Sequence, residues 1–87
     1  MNLTIKNLEN CFDKAKEYNA EFVGVKIQMK GFEKPEVIIN SYENFDPKLT
    51  YYKNAYNNDL TLKAFNGIKI IGFTYGNSFE DIEVDLV

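Results

Sequence analysis

Leu60-Thr-Leu-Lys-Ala-Phe-Asn66-Gly67-Ile-Lys-Ile-Ile-Gly-Phe-Thr-Tyr75 is the stretch on which the fold turns. Two runs rich in strand-forming residues flank Asn-Gly, the strongest short-range hairpin signal a sequence carries. A two-residue type I′ turn needs positive φ at both central positions, which Asn tolerates and Gly adopts freely. This turn predicts the pairs Phe65–Ile68, Lys63–Ile70, Leu62–Ile71, Thr61–Gly72 and Leu60–Phe73. Side chains alternate faces along a strand. One face then holds Leu60, Leu62, Ala64, Ile71, Phe73 and Tyr75, a core face interrupted only by Lys69. The other holds Thr61, Lys63, Gly72 and Thr74, with Phe65, Ile68 and Ile70 crowded near the turn. Each large apolar side chain buried contributes about 1.5–3 kcal/mol, so three left in water would be unusual. Either a helix of the protein covers them, or they form a contact patch for a protein partner or a second copy.

Upstream, Thr4 is placed to cap a helix reaching about Tyr18, with Ile5, Leu8, Phe12 and Ala15 at helical spacing. Glu21–Met29 alternates, with Val23, Val25, Ile27 and Met29 on one face. Residues 30–36 read as a loop and Val37–Asn40 as a short returning strand. Asp46-Pro47 predicts the next helix start, a capping carboxylate before proline at the first helical position. Phe45, Leu49, Tyr52 and Tyr56 form its stripe, and Asn57-Asn58-Asp59 ends it. Beyond Gly76, Ser78 with Asp81 resembles a capping box and favours a C-terminal helix burying Phe79, Ile82 and Leu86. The strict alternation of Ile82–Leu86 leaves a strand as the alternative. The expected fold is α+β, one domain over residues 1–87 in the order α-β-β-α-β-β-α, a mainly antiparallel sheet with helices packed on it.

Eighty-seven residues, 45% hydrophobic and 26% charged, have the balance of a small globule. There is no histidine, tryptophan or arginine, and all ten basic residues are lysines. Without His the usual near-neutral general base and metal ligand is missing; without Arg there is no bidentate fork for phosphate. No phosphate-binding glycine loop, nucleophile elbow or zinc-type spacing is present. Cys11 lacks a histidine to activate it, excludes an internal disulfide framework and fits a reducing cytoplasm. The expectation is a non-enzymatic protein with no cofactor or metal. No membrane-length apolar run and no signal-peptide layout are seen.

Charges balance over residues 1–40 and leave one extra lysine over 41–76, whereas residues 77–87 carry four acids and no lysine. Glu80, Asp81, Glu83 and Asp85 lack the spacing and glycine of a calcium loop and read as an exposed face or a contact surface. A net charge of −3 opposes phosphate neutralisation and hence nucleic-acid binding, although the aromatic residues are of the type that stacks on bases.

Phe22-Val-Gly-Val-Lys-Ile, Val37-Ile-Ile-Asn, Tyr51-Tyr52-Lys-Asn-Ala-Tyr56 and the Asn-Gly hairpin together resemble small uncharacterised proteins of phages and mobile elements in AT-rich Gram-positive bacteria. The resemblance spans most of the chain but contains no functional motif and transfers no catalytic or binding residue. It implies a mobile-element origin and a protein that binds a host or phage macromolecule. The resulting expectation is a cytoplasmic protein–protein interaction or regulatory module, with Phe65, Ile68 and Ile70 first and Glu80, Asp81, Glu83 and Asp85 second as contact residues. The alternatives are a nucleic-acid-binding accessory factor and a small-ligand-binding domain.

Overall fold

Thr4 begins the first helix as its side chain allows. In the computed structural model, which describes residues 3–86, the Asn7 N–H donates to Thr4 Oγ1 (3.3 Å). In return the Thr4 N–H donates to Asn7 Oδ1 (2.8 Å), so two otherwise unpaired donors are satisfied together. Helix α1 (Ile5–Glu17) ends at Tyr18, and Asn19 takes the left-handed conformation (φ 55°) that short polar side chains tolerate. Strands β1 (Phe22–Met29) and β2 (Glu36–Ser41) form an antiparallel pair, and a single 3₁₀ turn (Tyr42–Asn44) leads into α2 (Phe45–Ala55). Strand β3 (Ile68–Gly76) pairs with the other side of β1, and α3 (Phe79–Leu86) follows. The sheet order is β2-β1-β3, all antiparallel. The α+β class and the sheet carrying helices are therefore as the sequence implies.

Helix α2 begins earlier than Asp46-Pro47 suggests. Asn44 stands at the cap without a side-chain capping bond, its Nδ2 donating to Ser41 Oγ (3.2 Å), and Asp46 pairs with Lys16 of α1. Pro47 is still accommodated, because no N–H in the first turn has an intrahelical acceptor. Lys53 of α2 reaches Glu9 of α1 (2.7 Å) and joins the two helices, and together with Lys6 of α1 itself (3.0 Å) it holds the Glu9 carboxyl down to about 2.

The core lies between one sheet face and helices α1 and α2. Leu8, Phe12 and Ala15 meet Val23, Val25 and Ile27 of β1, closed by Phe45, Tyr52 and Tyr56. Phe12 packs edge-on to Phe45, with ring centroids 5.5 Å apart, a favoured aromatic geometry.

The segment before Asn66-Gly67 departs most from expectation. Neither Asn66 nor Gly67 takes positive φ; among the described residues Asn19, Leu60 and Gly31 do. No type I′ turn forms, and Leu60–Phe65 contributes isolated bridges rather than a strand. The cause lies just upstream. The Leu60 N–H donates to Asn57 O (2.9 Å) and the Thr61 N–H to Asp59 Oδ1 (3.1 Å). This turn holds Leu60 at φ 70° with its side chain fully buried. The Ile70 N–H then donates to Leu60 O and the Leu62 N–H to Ile68 O (both 2.9 Å). Leu60 thus lies opposite Ile70 rather than Phe73, an odd slip that exchanges faces.

A bulge completes the change. Lys26 pairs with Gly72 but Ile27 with Ile70, so Ile71 is an extra residue in β3. It shifts the alternation by one. Ile68 and Ile70 below the bulge, and Phe73 and Tyr75 beyond it, therefore all join the same core. The expected Phe65/Ile68/Ile70 patch does not exist: Ile70 is 1% exposed, Ile68 packs on the core, and Phe65 alone stands out at 57%. The expected core residues Ile71 and Ala64 are exposed instead.

Asn40 is the buried polar residue of β2. Its Nδ2 donates to Val23 O (3.2 Å) and lies 3.5 Å from Tyr52 Oη, while Oδ1 has no partner among the described residues. Asn40→Asp would bury a carboxylate there with no cation beside it, and is expected to cost about 3–5 kcal/mol at pH 7. Burial raises that carboxyl's folded pKa above its unfolded value, so the folded state holds the proton more tightly. The lost stability then returns as pH falls toward about 4. Urea unfolding at the two pH values checks this; a pH-independent loss would argue against it.

Candidate functional site

The second sheet face is shaped by its glycines. A Cβ on Gly24 would stand 2.2 Å from Ile82 Cγ2, and one on Gly76 would stand 3.2 Å from Asp81 Cβ. Helix α3 sits down into this space and buries Ile82 and Leu86. Ser78 starts it, accepting from the Asp81 N–H (3.1 Å), so the C-terminal segment is the helix rather than the strand. Lys26 Nζ reaches across the sheet and donates to Leu86 O (2.5 Å), placing a cation at the helix's negative end. Phe79 packs edge-on to Phe22, with centroids 5.0 Å apart.

With Ile82 and Leu86 facing the sheet, helical geometry turns Asp81 and Asp85 toward β3 and Glu83 toward the opposite side. Asp85 Oδ2 accepts from Thr74 Oγ1 (3.1 Å). Asn77 Oδ1 accepts from the Glu21 N–H (3.1 Å), tying the end of β3 to the start of β1. Tyr75, Gly76 and Asn77 thereby meet Glu80, Asp81, Val84 and Asp85 around an open recess of about 380 Å³. On the far side of β3, Tyr18 stacks on Tyr75, centroids 6.1 Å apart and planes 21° apart, and remains 59% exposed.

Two features single out this recess as the candidate site. The outer edge of β3 is lined by Thr61 near its start, but Gly72–Gly76 has no strand beside it among the described residues. The recess acids are also not neutralised: the ion pairs among the described residues join Lys6 and Lys53 to Glu9, and Lys16 to Asp46. The surface therefore offers an open strand edge and uncompensated negative charge in one place, with the exposed Tyr18 ring stacked on half-buried Tyr75 across β3.

Three of the expected contact residues, Glu80, Asp81 and Asp85, come together here. Glu83 does not line the recess, Phe65 lies toward the other end of the sheet, and Ile68 and Ile70 belong to the core. Tyr18, Tyr75, Asn77 and Val84 were not legible as site residues. Tyr18 and Tyr75 read as the flanks of a helix and a core face, and only the tertiary fold stacks them.

A second cleft, of about 370 Å³, is lined by Ala15, Lys16, Ala20, Glu21, Tyr42 and Phe45, with Asn19 at its rim. It is largely apolar; its charged groups are Lys16, which pairs with Asp46 of α2, and Glu21. Burial pushes the Cys11 thiol up to about 12, far from a reactive thiolate. Among the described residues no group of three or more His, Cys, Asp or Glu side chains is disposed to hold a metal ion. Among the described residues no helix is long and apolar enough to cross a membrane. Comparison with protein-family models, with curated proteins and with solved structures returned no match.

Proposed function

We propose that this is a non-enzymatic protein-interaction module, acting in the cytoplasm, whose acidic β3 edge takes up a basic, extended segment of a partner protein. The carrying observation is the convergence of Glu80, Asp81 and Asp85 on the open stretch of β3 beside Tyr75. An added strand gains main-chain hydrogen bonds along a free edge, and neighbouring side chains select its sequence. Here the selecting groups are carboxylates, which favour Lys or Arg in the partner and speed encounter. Tyr18 and Tyr75 supply rigid amphipathic contact area of the kind enriched at interfaces. Such a module suits the mobile-element origin that the sequence resemblance implies, where a small acidic protein engages a larger host or phage protein.

A photo-crosslinking residue at Val84, which is 73% exposed, tests this against a control at Tyr51 on α2. In extract of the native host, the position 84 probe is expected to trap a discrete protein and the control none. The adduct should disappear with Asp81→Lys/Asp85→Lys and at about 1 M salt, where the Debye length falls to about 3 Å. Purified components should show a loss of at least roughly tenfold in affinity for that double variant, about 1.4 kcal/mol. An adduct indifferent to both charge reversal and salt, or none at position 84, would remove the proposal.

A further inference from the structure

We propose that the opposite end of the sheet is a binding surface for single-stranded nucleic acid. Charge on this chain is segregated in a way that its net value hides. Residues 28–36 and 63–69 carry four lysines and two glutamates, while the remainder carries six lysines and eleven acids. The first group is an excess of two positive charges on a protein of net charge −3, with the Asp59 carboxylate near Lys69 at its margin. None of Lys30, Lys34, Lys63 or Lys69 belongs to an ion pair among the described residues.

The two segments are physically joined. The Lys30 N–H donates to Gly67 O (2.7 Å), which ties the β1–β2 loop to the loop before β3. A Cβ on Gly67 would lie 2.9 Å from the Phe65 ring and 3.0 Å from Lys30 Cβ, so that ring lies over the Gly67 backbone next to Lys30. In the neighbouring loop, Gly31 takes φ 93°, and the Phe32 N–H donates to Met29 O (3.1 Å). Gln28 Nε2 donates to Phe32 O (3.1 Å), while Gln28 itself pairs across the sheet with Lys69. Each loop therefore presents one phenylalanine, 62% exposed at Phe32 and 57% at Phe65, with a lysine near it.

Exposed aromatic rings beside lysines are the groups that single strands engage. Unpaired bases offer faces to stack on the rings, and ammonium groups follow the phosphates. A duplex hides those faces, so rings of this kind gain little from it. Lysines without arginine lack the planar fork that reads guanine, which makes binding tolerant of sequence. At most four lysines neutralise phosphate, so log K should fall with log salt at a slope of about −2 to −3.

Fluorescence anisotropy of a labelled oligothymidylate, against its duplex, at about 25 mM and 200 mM salt reads all of this. The single strand is expected to bind at the lower salt, more tightly than the duplex and with that slope. Phe32→Ala and Phe65→Ala, at exposed positions that leave the fold intact, should each weaken it at least about fivefold, the lower end of base–aromatic stacking. Lys30→Glu/Lys69→Glu should abolish it, whereas Asp81→Lys/Asp85→Lys on the acidic edge should not weaken it. That last arm separates this surface from the protein-binding one. No binding at low salt, or binding indifferent to the two phenylalanines and matched by duplex or heparin, would overturn the proposal.

Discussion

Ile70→Lys is expected to unfold the protein at neutral pH, while Phe65→Asp leaves it folded. In the strand pairing that Asn66-Gly67 first implies, these residues share one face and the two variants should behave alike. In the structure Ile70 is 1% exposed within the core and Phe65 is 57% exposed on a loop. A lysine amine buried among apolar side chains has its pKa lowered by about 3–5 units, or about 4–7 kcal/mol. The lost packing of the isoleucine adds to that. A domain of this length has a total stability of about 4–13 kcal/mol at the usual value per residue, so the variant has little or none left. The pH dependence has a definite sign. Between the lowered folded pKa and the ordinary value near 10.4, the unfolded chain binds more protons, so raising pH restores stability. Circular dichroism melts of both variants at pH 7 and about 10 distinguish the cases. Two folded variants, or two unfolded ones, would contradict the observed register.

The reason that register was hard to read is physical. Elements defined by local periodicity were legible: the Thr4 cap, the alternation Val23-Val25-Ile27, and the stripe Phe45-Leu49-Tyr52-Tyr56 all occupy the places their spacing implies. Those patterns need only the chain's own geometry. The pairing around Ile70 depends on two distant events. One is the turn at Asn57–Leu60, which commits Leu60 to the core before the Asn-Gly pair is reached. The other is the extra residue Ile71, which is defined only by what β1 places opposite it. The Gly67 carbonyl is also engaged by Lys30 of a different loop, so the Asn-Gly segment turns against β1 and not only against its own flank.

The candidate site divides in the same manner. The acids at positions 80, 81 and 85 were visible as charge, and helical spacing alone puts the last two on one side. That this side faces an open edge follows from β3 lying at the end of the order β2-β1-β3. Likewise the net charge of −3 is a property of composition, whereas its separation toward two ends of one sheet is a property of topology. Lys30 and Gly67 are distant in sequence and meet only because the sheet brings their loops together.

Gly24→Val should unseat helix α3, and with it the acidic edge, without altering any acid. The missing side chain of Gly24 is the space that Ile82 fills: a Cβ there would stand 2.2 Å from Ile82 Cγ2 and 3.2 Å from Leu86 Cδ1. Ile82 cannot swing aside, because its branched side chain is stiff at χ1 and fully buried. The helix must lift. At eight residues it is too short to persist away from the sheet, so lifting means unfolding. Losing the burial of Ile82 and Leu86 corresponds to about 3–6 kcal/mol at about 1.5–3 kcal/mol per side chain. Gly72→Ala is the matched control on the same face, since its nearest neighbour, Leu86 Cδ2, would lie at an ordinary 3.4 Å. Hydrogen exchange should show the α3 amides losing protection in Gly24→Val, with the α1–α2 side of the sheet retaining more of its own. Retained protection over residues 79–86 would mean the sheet can yield where the contact distances say it cannot. Because Asp81 and Asp85 are aimed at β3 only by this seating, the same substitution should abolish capture of a basic partner, yet leave Phe32 and Phe65 in place at the other end.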